Sequence, residues 1–596
     1  MKKAIYLLTL VLFSIPLQAE PFLEVYLSDN SISVGQATTA YLSTNINPKD
    51  IQMVVYRVEK KAGGAKDPIT RLPAQSADGL GSDVLVARID GFQASLESLP
   101  ADAYANGADY PARITYKARP QSGTGYFEIR FFDKANNTWI NGWTSLWVNP
   151  AVRGSSADVL IVDNEFTRLA YSNYANGYSA YAYPTPALSP LTGGEMAPML
   201  SRLKPGDEAA SSGAWAGNLS IAGRSVTSLI RFLNSHEIPF ETANQRDIEL
   251  DPTIYDNYDV VIIVGHHEYC TMKEVDATEK FIFQDGGHFI SLSGNTCWWQ
   301  VRWYEDTQQM AIFKGSQLIE DPIRTTCDPA TARWGCDAVR DDTLLATNFH
   351  SIPGNEKPLT AIFGTNWENG GWSGVKPTGA TDANSFPNAS GYGGYWVQQE
   401  DHFIFAGTGL QNSTPLGTEA AGDFDTTDTN SIFGRVAGST SIMSHEVDGV
   451  LYTVDGNNRP QVDYSSITTA GQPPAGMEII AWAPAYGSHI GSTVADHRTA
   501  KATMVYFTAP SGGGTMLNTS TTRYTDQLRS SGGSARSPIV GKTILNALVE
   551  YGISFTSSID SDGDLIPDYQ DNCVMVSNFN QTDTAPADGT GDACPY

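Results

Sequence analysis

Two short segments carry most of the reactive side chains of this chain. Gly265-His266-His267-Glu268-Tyr269-Cys270 follows the apolar run Val260–Val264, and Ser293-Gly294-Asn295-Thr296-Cys297-Trp298-Trp299-Gln300-Val301-Arg302 continues the run that starts at Phe289. Imidazoles, a carboxylate, a phenol, thiols and an amide thus collect where two strands end, the usual place for chemistry in a parallel α/β sheet. On extended backbone, side chains two apart share a side, so His266 and Glu268 are expected to converge while His267 and Tyr269 face away. A carboxylate beside an imidazole suits metal ligation or general acid–base work. Gly294 admits a close backbone approach, Asn295 offers an amide dipole to a ligand or an oxyanion, and Arg302 presents a fork to a carboxylate. Trp298 and Trp299 would wall the cavity. Plainer readings compete: loop polarity for the His-His-Glu run, core packing for the tryptophans, a scaffold ion pair for Arg302. Cys270 and Cys297 could each be a nucleophile, a metal ligand or half of a disulfide.

These segments need a sheet to hold them. Asp158–Val162 is a continuous apolar run of the kind buried on both faces, and Val226, Leu229, Ile230 and Leu233 mark one face of a helix. A strand at Val260–Val264, a helix over Glu274–Gln284 stopped by Gly286-Gly287, and a strand at Phe289–Ser293 follow. Such alternation predicts an open, largely parallel sheet with helices on its faces, here an α/β domain over 156–556. A long excursion, 305–476, precedes strands at Met477–Ala483 and Met504–Thr508 and a closing helix at Ile539–Tyr551. Residues 20–150 alternate instead, with short strands at Phe22–Leu27, Thr38–Leu42, Gln52–Arg57, Ala112–Tyr116, Gly125–Phe132 and Trp139–Val148. That pattern predicts an antiparallel β-sandwich, and nothing in it gathers titratable groups.

The bulk numbers set limits. With 596 residues, two or three domains are expected. Met1-Lys2-Lys3, the apolar run Ala4–Ile15 and the small residue Ala19 read as a signal peptide over 1–19, so the mature protein is expected outside the cytoplasm: periplasmic, secreted or at the cell surface. The apolar run is too short for a permanent membrane helix, and no integral membrane segment is expected after its removal. With 65 acidic against 38 basic residues, the formal charge of −27 repels phosphate backbones and excludes nucleic acid as a partner. Six cysteines in an exported chain favour pairing, with Cys327–Cys336 and Cys573–Cys594 as the expected bridges.

The two reactive segments, with the Leu229–Phe232 helix, the Tyr258–Val264 strand and the Gly286-Gly287 stop, resemble the C-terminal domain of the N,N-dimethylformamidase large (beta) subunit. The resemblance runs from about Asp158 to Thr519 and takes in Ser444-His445-Glu446-Val447-Asp448-Gly449 and Met504–Asn518. It implies a glutamine amidotransferase-like (flavodoxin-like) parallel sheet with a large insertion. It also implies a hydrolase of small amides using mononuclear iron held by two tyrosines and a glutamate. Glu268 matches the glutamate ligand, with His266 and Asn295 beside the metal and His266 as the proton shuttle. Ala170-Tyr171-Ser172-Asn173 and Ser179-Ala180-Tyr181 match the tyrosine pieces, which points to Tyr171 and Tyr181, although Tyr174, Tyr178 and Tyr183 crowd the same loop. Hard oxygen donors suit a hard Lewis-acidic ion. The chain departs from the family in its export signal, its additional sandwich and tail, and Cys270 in place of Trp. A nucleophilic Cys297 is the second enzymatic reading, though it lacks a Gly-x-Cys-x-Gly elbow.

The tail, 557–596, differs from everything before it. Asp560-Ser561-Asp562-Gly563-Asp564-Leu565-Ile566-Pro567-Asp568-Tyr569-Gln570-Asp571-Asn572-Cys573 spaces carboxylates around a Gly turn as calcium requires, without EF-hand spacing. It resembles a thrombospondin type-3 repeat. The resemblance implies Ca²⁺ on Asp560, Asp562, Asp564, Asp568 and Asp571, and a second site on Asp583, Asp588 and Asp592. The alternative to an amide hydrolase is a calcium-dependent extracellular adhesion or glycan-binding protein. A homo-oligomer or a cell-surface partner is compatible with both.

Overall fold

A computed structural model describes residues 22–59, 84–93, 95–172, 178–181, 197–205, 216–314, 358–373, 395–412, 445–456, 459–465, 471–485, 500–528 and 538–556. Shorter pieces lie between 321 and 349 and at 415–416, 424–425 and 435–436, and 566–568, 570–571 and 573–574 represent the tail. The signal segment, Cys327, Cys336, Cys594, Tyr174 and Tyr183 lie outside the described residues, as do Asp560, Asp562, Asp564, Asp583, Asp588 and Asp592.

Among the described residues the largest sheet has nine strands. In chain order they are β1 (Val159–Asp163), β2 (Glu241–Asn244), β3 (Val260–His266), β4 (His288–Gly294), β5 (Tyr395–Val397), β6 (Pro415–Leu416), β7 (Glu478–Ala485), β8 (Ala500–Thr508) and β9 (Thr515–Asn518). They lie in the order β2-β1-β3-β4-β9-β8-β7-β5-β6. Neighbours from β2 to β9 are parallel, with His266 of β3 level with Gly294 of β4. Neighbours from β9 to β6 are antiparallel. The sheet is therefore mixed rather than largely parallel. The short link between β8 and β9 is the physical reason, since it can reverse the chain but is too short for a crossover.

Burial on both faces explains the continuous apolar runs of β1 and β3. Val159, Ile161, Val260 and Ile262 join one cluster with Val226, Leu229, Ile230 and Leu233 of a helix over Ala216–Ser235, and with Val540, Ile544 and Leu548 of another over Pro538–Glu550. Leu160, Val162, Val261 and Ile263 join the opposite cluster with Val275, Phe281 and Ile282 of a helix over Met272–Phe283. That helix starts at Thr271, whose hydroxyl accepts the N–H of Glu274.

The N-terminal strands form two sheets. Leu23–Leu27, Ala37–Thr44 and Ala112–Lys117 make one, and Ser31–Ser33, Thr138–Asn149, Gly125–Asp133, Ile51–Arg57 and Val84–Ile89 the other. Both contribute to a single apolar cluster that includes Val25, Leu42, Met53, Phe127, Ile129 and Leu146. They are joined to the large sheet by more than a linker. Trp147 packs in the first cluster of the large sheet and donates its indole N–H to Asp163 at 3.1 Å, and Thr242 donates to Asn149 Oδ1 at 3.1 Å.

The excursion over 305–476 is not all insertion, because it returns β5 and β6 to the sheet. It also supplies His445–Gly449, which pairs antiparallel with Asn366–Ser373. This strand crosses the end of β4 at Gly294, where a Cβ would stand 2.7 Å from Glu446 O and 2.8 Å from Thr522 N. Both neighbours are backbone atoms and cannot swing aside. Gly294→Ala is thus expected to cost about 1–3 kcal/mol of stability by overpacking. Denaturant unfolding measures this, and a midpoint equal to that of the parent would show that the crossing strand can retreat.

Candidate metal and acid–base centre

Glu268 is the centre of the site. It lies just past β3, where Gly265 adopts φ 77° and the strand ends at His266. Tyr171, the last residue of the helix Glu165–Tyr171 that follows β1, donates its hydroxyl to Glu268 Oε2 at 2.7 Å. Tyr181 donates to Oε1 at 2.5 Å, and the Trp299 indole N–H donates to the same oxygen at 3.0 Å. His266 Nε2 lies 3.2 Å from Glu268 Oε2 and 2.5 Å from Glu446 Oε2. Asn295 Nδ2 donates to Glu446 Oε2 at 3.0 Å. The structure thus brings together Tyr171, Tyr181, Glu268, His266 and Asn295, all buried except the half-buried Tyr181. They stand at the carboxyl ends of β1, β3 and β4, within the parallel half of the sheet.

Three participants were not anticipated from sequence. Glu446 sits in a segment that drew notice only as part of the family resemblance, and it reaches the site by crossing the end of β4. Tyr269, expected to face away, hydrogen-bonds Tyr181 through their hydroxyls at 2.5 Å. The alternation argument fails there because β3 ends at His266, and Tyr269-Cys270 begins a separate short strand paired with Trp299-Gln300. His267 does face away, with Nε2 2.6 Å from Glu274. Lys314 places its ammonium 3.3 Å above the Tyr181 ring and hydrogen-bonds the Tyr269 hydroxyl. No local motif marks Lys314, and only the fold could have found it.

The other residues named from the sequence have partners of their own. Arg302 makes a two-pronged ion pair with Asp321 at 2.8 Å and 2.8 Å, so its fork serves the scaffold. Cys297 is bonded to Cys270 in a disulfide, which removes the thiolate that a cysteine mechanism needs. Tyr178 stacks on Tyr104 with ring centroids 4.2 Å apart. In the tail, Asp571 Oδ1 accepts the N–H of Cys573 at 2.8 Å, and Lys542 donates to the carbonyl of Asp568 at 2.7 Å. The described part of the tail therefore packs against the helix Pro538–Glu550.

Burial shapes the electrostatics. It pushes His266 down, but the Glu446 and Glu268 carboxylates outweigh it and hold the imidazole at about 10. Burial pushes Glu268 up, and His266, Lys314 and the Tyr181 hydrogen bond bring it to about 2. The phenols of Tyr171, Tyr181 and Tyr269 are driven well above their ordinary range by burial and by Glu268. Lys314 is lowered by burial to about 7 against the pull of the two glutamates. Burial pushes Asp448 up to about 7, against the backbone N–H groups of Thr296 and Asn295 that pull it down.

His266, Glu268 and Glu446 bring ligand atoms close enough together to hold one ion. The phenols add hard oxygen to the same point, a donor set that fits a hard cation. The Oδ1 of Asn295 is buried and has no hydrogen-bond partner among the described residues, which leaves an acceptor unused beside Glu446.

An α/β protein with phenols, carboxylates and an imidazole gathered at the carboxyl rim of its sheet is the class that this geometry defines. Residues 93–536 match the family N,N-dimethylformamidase beta subunit-like, C-terminal, and the chain belongs to that hydrolase family. The match starts well before Asp158, so the later N-terminal strands are part of the family region rather than an unrelated attachment. Comparison with curated proteins finds no match.

The charge pair gives a pH signature in chelator-treated protein. His266, raised from 6.5 to about 10, contributes stability fully below pH 6.5 and loses it as pH rises through about 10. Glu268, lowered from 4.5 to about 2, contributes fully above pH 4.5 and loses it as pH falls towards 2. The Tm difference between parent and His266→Gln is expected to be largest between these limits and to shrink towards pH 10. A difference that stays constant over that rise would refute the charged pair.

Proposed function

We propose that this protein is an exported, metal-dependent hydrolase of small amides. One observation carries the reading: two phenols from separate segments meet the two oxygens of a single buried carboxylate, Glu268, with an imidazole and a second carboxylate beside it. Tyr171, Tyr181 and Glu268 would hold the ion, by resemblance a mononuclear iron, which would supply Lewis acidity towards an amide carbonyl and a water.

The remaining residues divide the proton work. Glu446 takes a proton from the attacking water as the oxygen bonds to the carbonyl carbon. Protonated His266 gives its proton to the departing nitrogen as the C–N bond breaks. The proton on Glu446 then passes to His266 across 2.5 Å, and both groups return to their starting states. Asn295 fixes Glu446 through Nδ2 and offers Oδ1 to the second hydrogen of the water. Lys314 lies over the Tyr181 ring, where its protonated form would favour the ionised phenol that burial and the Glu268 carboxylate disfavour. Trp299 closes one side and holds Glu268 in orientation.

Export is supported by the leader-like N-terminus and by disulfide bonding at Cys270, Cys297 and Cys573, which an oxidising compartment sustains. We read the N-terminal sheets as a sandwich, the parallel half of the large sheet as flavodoxin-like, and the tail as a thrombospondin type-3 repeat that takes calcium. The buried convergence at Glu268 favours the hydrolase over the adhesion reading, since an adhesion protein has no use for it.

Metal analysis is the direct test. Purified protein is expected to carry about one transition-metal ion per chain, lost in Glu268→Ala and in the Tyr171→Phe, Tyr181→Phe double variant. Retention of the ion by Glu268→Ala would overturn the site. Amine release from a panel of small amides is the second arm: Glu446→Gln should keep the metal and lose roughly 10²–10⁴-fold in kcat. Parent-like turnover in that variant would remove Glu446 from the mechanism.

A further inference from the structure

β4 ends in a turn that its side chains do not favour. Asn295 and Cys297 adopt φ 53° and 51°, the left-handed region in which a Cβ is crowded, yet neither is glycine. Something outside the turn must hold it. Asp448 does so from the crossing strand: Oδ1 accepts the N–H of Asn295 at 2.9 Å and Oδ2 that of Thr296 at 3.1 Å. Cys297 is tied a second way, by its own N–H to His267 O at 2.7 Å and by its disulfide to Cys270.

Glu446 and Asp448 stand two apart on one strand, so both face the end of β4. Glu446 takes the Asn295 side chain and Asp448 takes the Asn295 backbone. Asp448 is fully buried, and its own N–H is anchored on Ser520 O at 2.9 Å. The carboxylate is directed at the turn, not at Glu268 or His266.

We propose that Asp448 is a positioning residue for the reaction: it holds the Asn295–Cys297 turn in its left-handed backbone, so that the Asn295 amide fixes Glu446 Oε2 and presents Oδ1 to the ligand. This rests on the hydrolase reading for its effect on turnover, but the hold on the turn is independent of that reading. The alternative is a buried acid needed only for folding.

The test uses Asp448→Asn, which keeps the shape but presents an NH₂ to one of the two backbone donors. Amine release, metal content and hydrogen exchange of a peptide spanning 293–299 are measured together. Expected are a kcat lower by roughly 10- to 100-fold, KM and metal content close to the parent, and faster exchange confined to that peptide and to 445–449. In Asn295→Ala the further addition of Asp448→Asn should change kcat less than about threefold, since the two act as a unit. Multiplying losses, or parent-like exchange at 293–299, would overturn the proposal. If the parent releases no amine from any amide, the hydrolase reading fails alone, and the exchange result still decides whether Asp448 holds the turn. If Asp448→Asn does not fold, it is combined with Asn295→Gly, which adopts positive φ without a brace. Recovery of the fold there supports the brace, and continued failure shows that Asp448 serves something other than the turn.

Discussion

Two carboxylates buried within reach of the same imidazole nitrogen are the constraint on which this structure turns. Like charges out of water repel, and each loses its hydration, so such a pair persists only where enough donors surround it. Glu268 has two phenols and an indole on its oxygens, Glu446 has the Asn295 amide, and His266 lies between them. Lys314 adds positive charge from above Tyr181. His266, Glu268 and Glu446 also bring ligand atoms close enough together to hold an ion.

The compensating donors come from chain segments far apart, which makes strand order the decisive feature of the fold. Tyr171 follows β1, His266 closes β3, Asn295 and Trp299 follow β4, and Glu446 arrives on a strand laid across the end of β4. Because β1, β3 and β4 are adjacent and parallel, their carboxyl ends open on one rim. The antiparallel half serves the same rim indirectly, since Ser520, just past β9, anchors the backbone of Asp448.

The N-terminal sheets take part in this arrangement. Asn30 donates to Glu165 at the start of the helix that ends in Tyr171, and Arg246 ion-pairs with Asp29 beside it. These contacts tie the N-terminal sheets to the start of the helix that carries Tyr171.

Much of this was legible in the sequence because local physics decides it. Apolar runs marked β1, β3 and β4, glycines marked the stop after Phe283 and the crossing at Gly294, and polar residues after two strand ends marked the site. Alternation placed His266 with Glu268 and His267 opposite, and misplaced Tyr269 because it assumed unbroken strand. The mixed sheet, the Arg302–Asp321 pair, the closed Cys270–Cys297 bond and the arrival of Glu446 and Lys314 were decided by tertiary structure alone. Each depends on which distant segment lies alongside, and side-chain spacing carries no information on that. The sequence by itself determined which residues could do chemistry and which strand ends would offer them. Folding decided which of them share one buried space, because only there do desolvation and mutual charge settle what each group becomes.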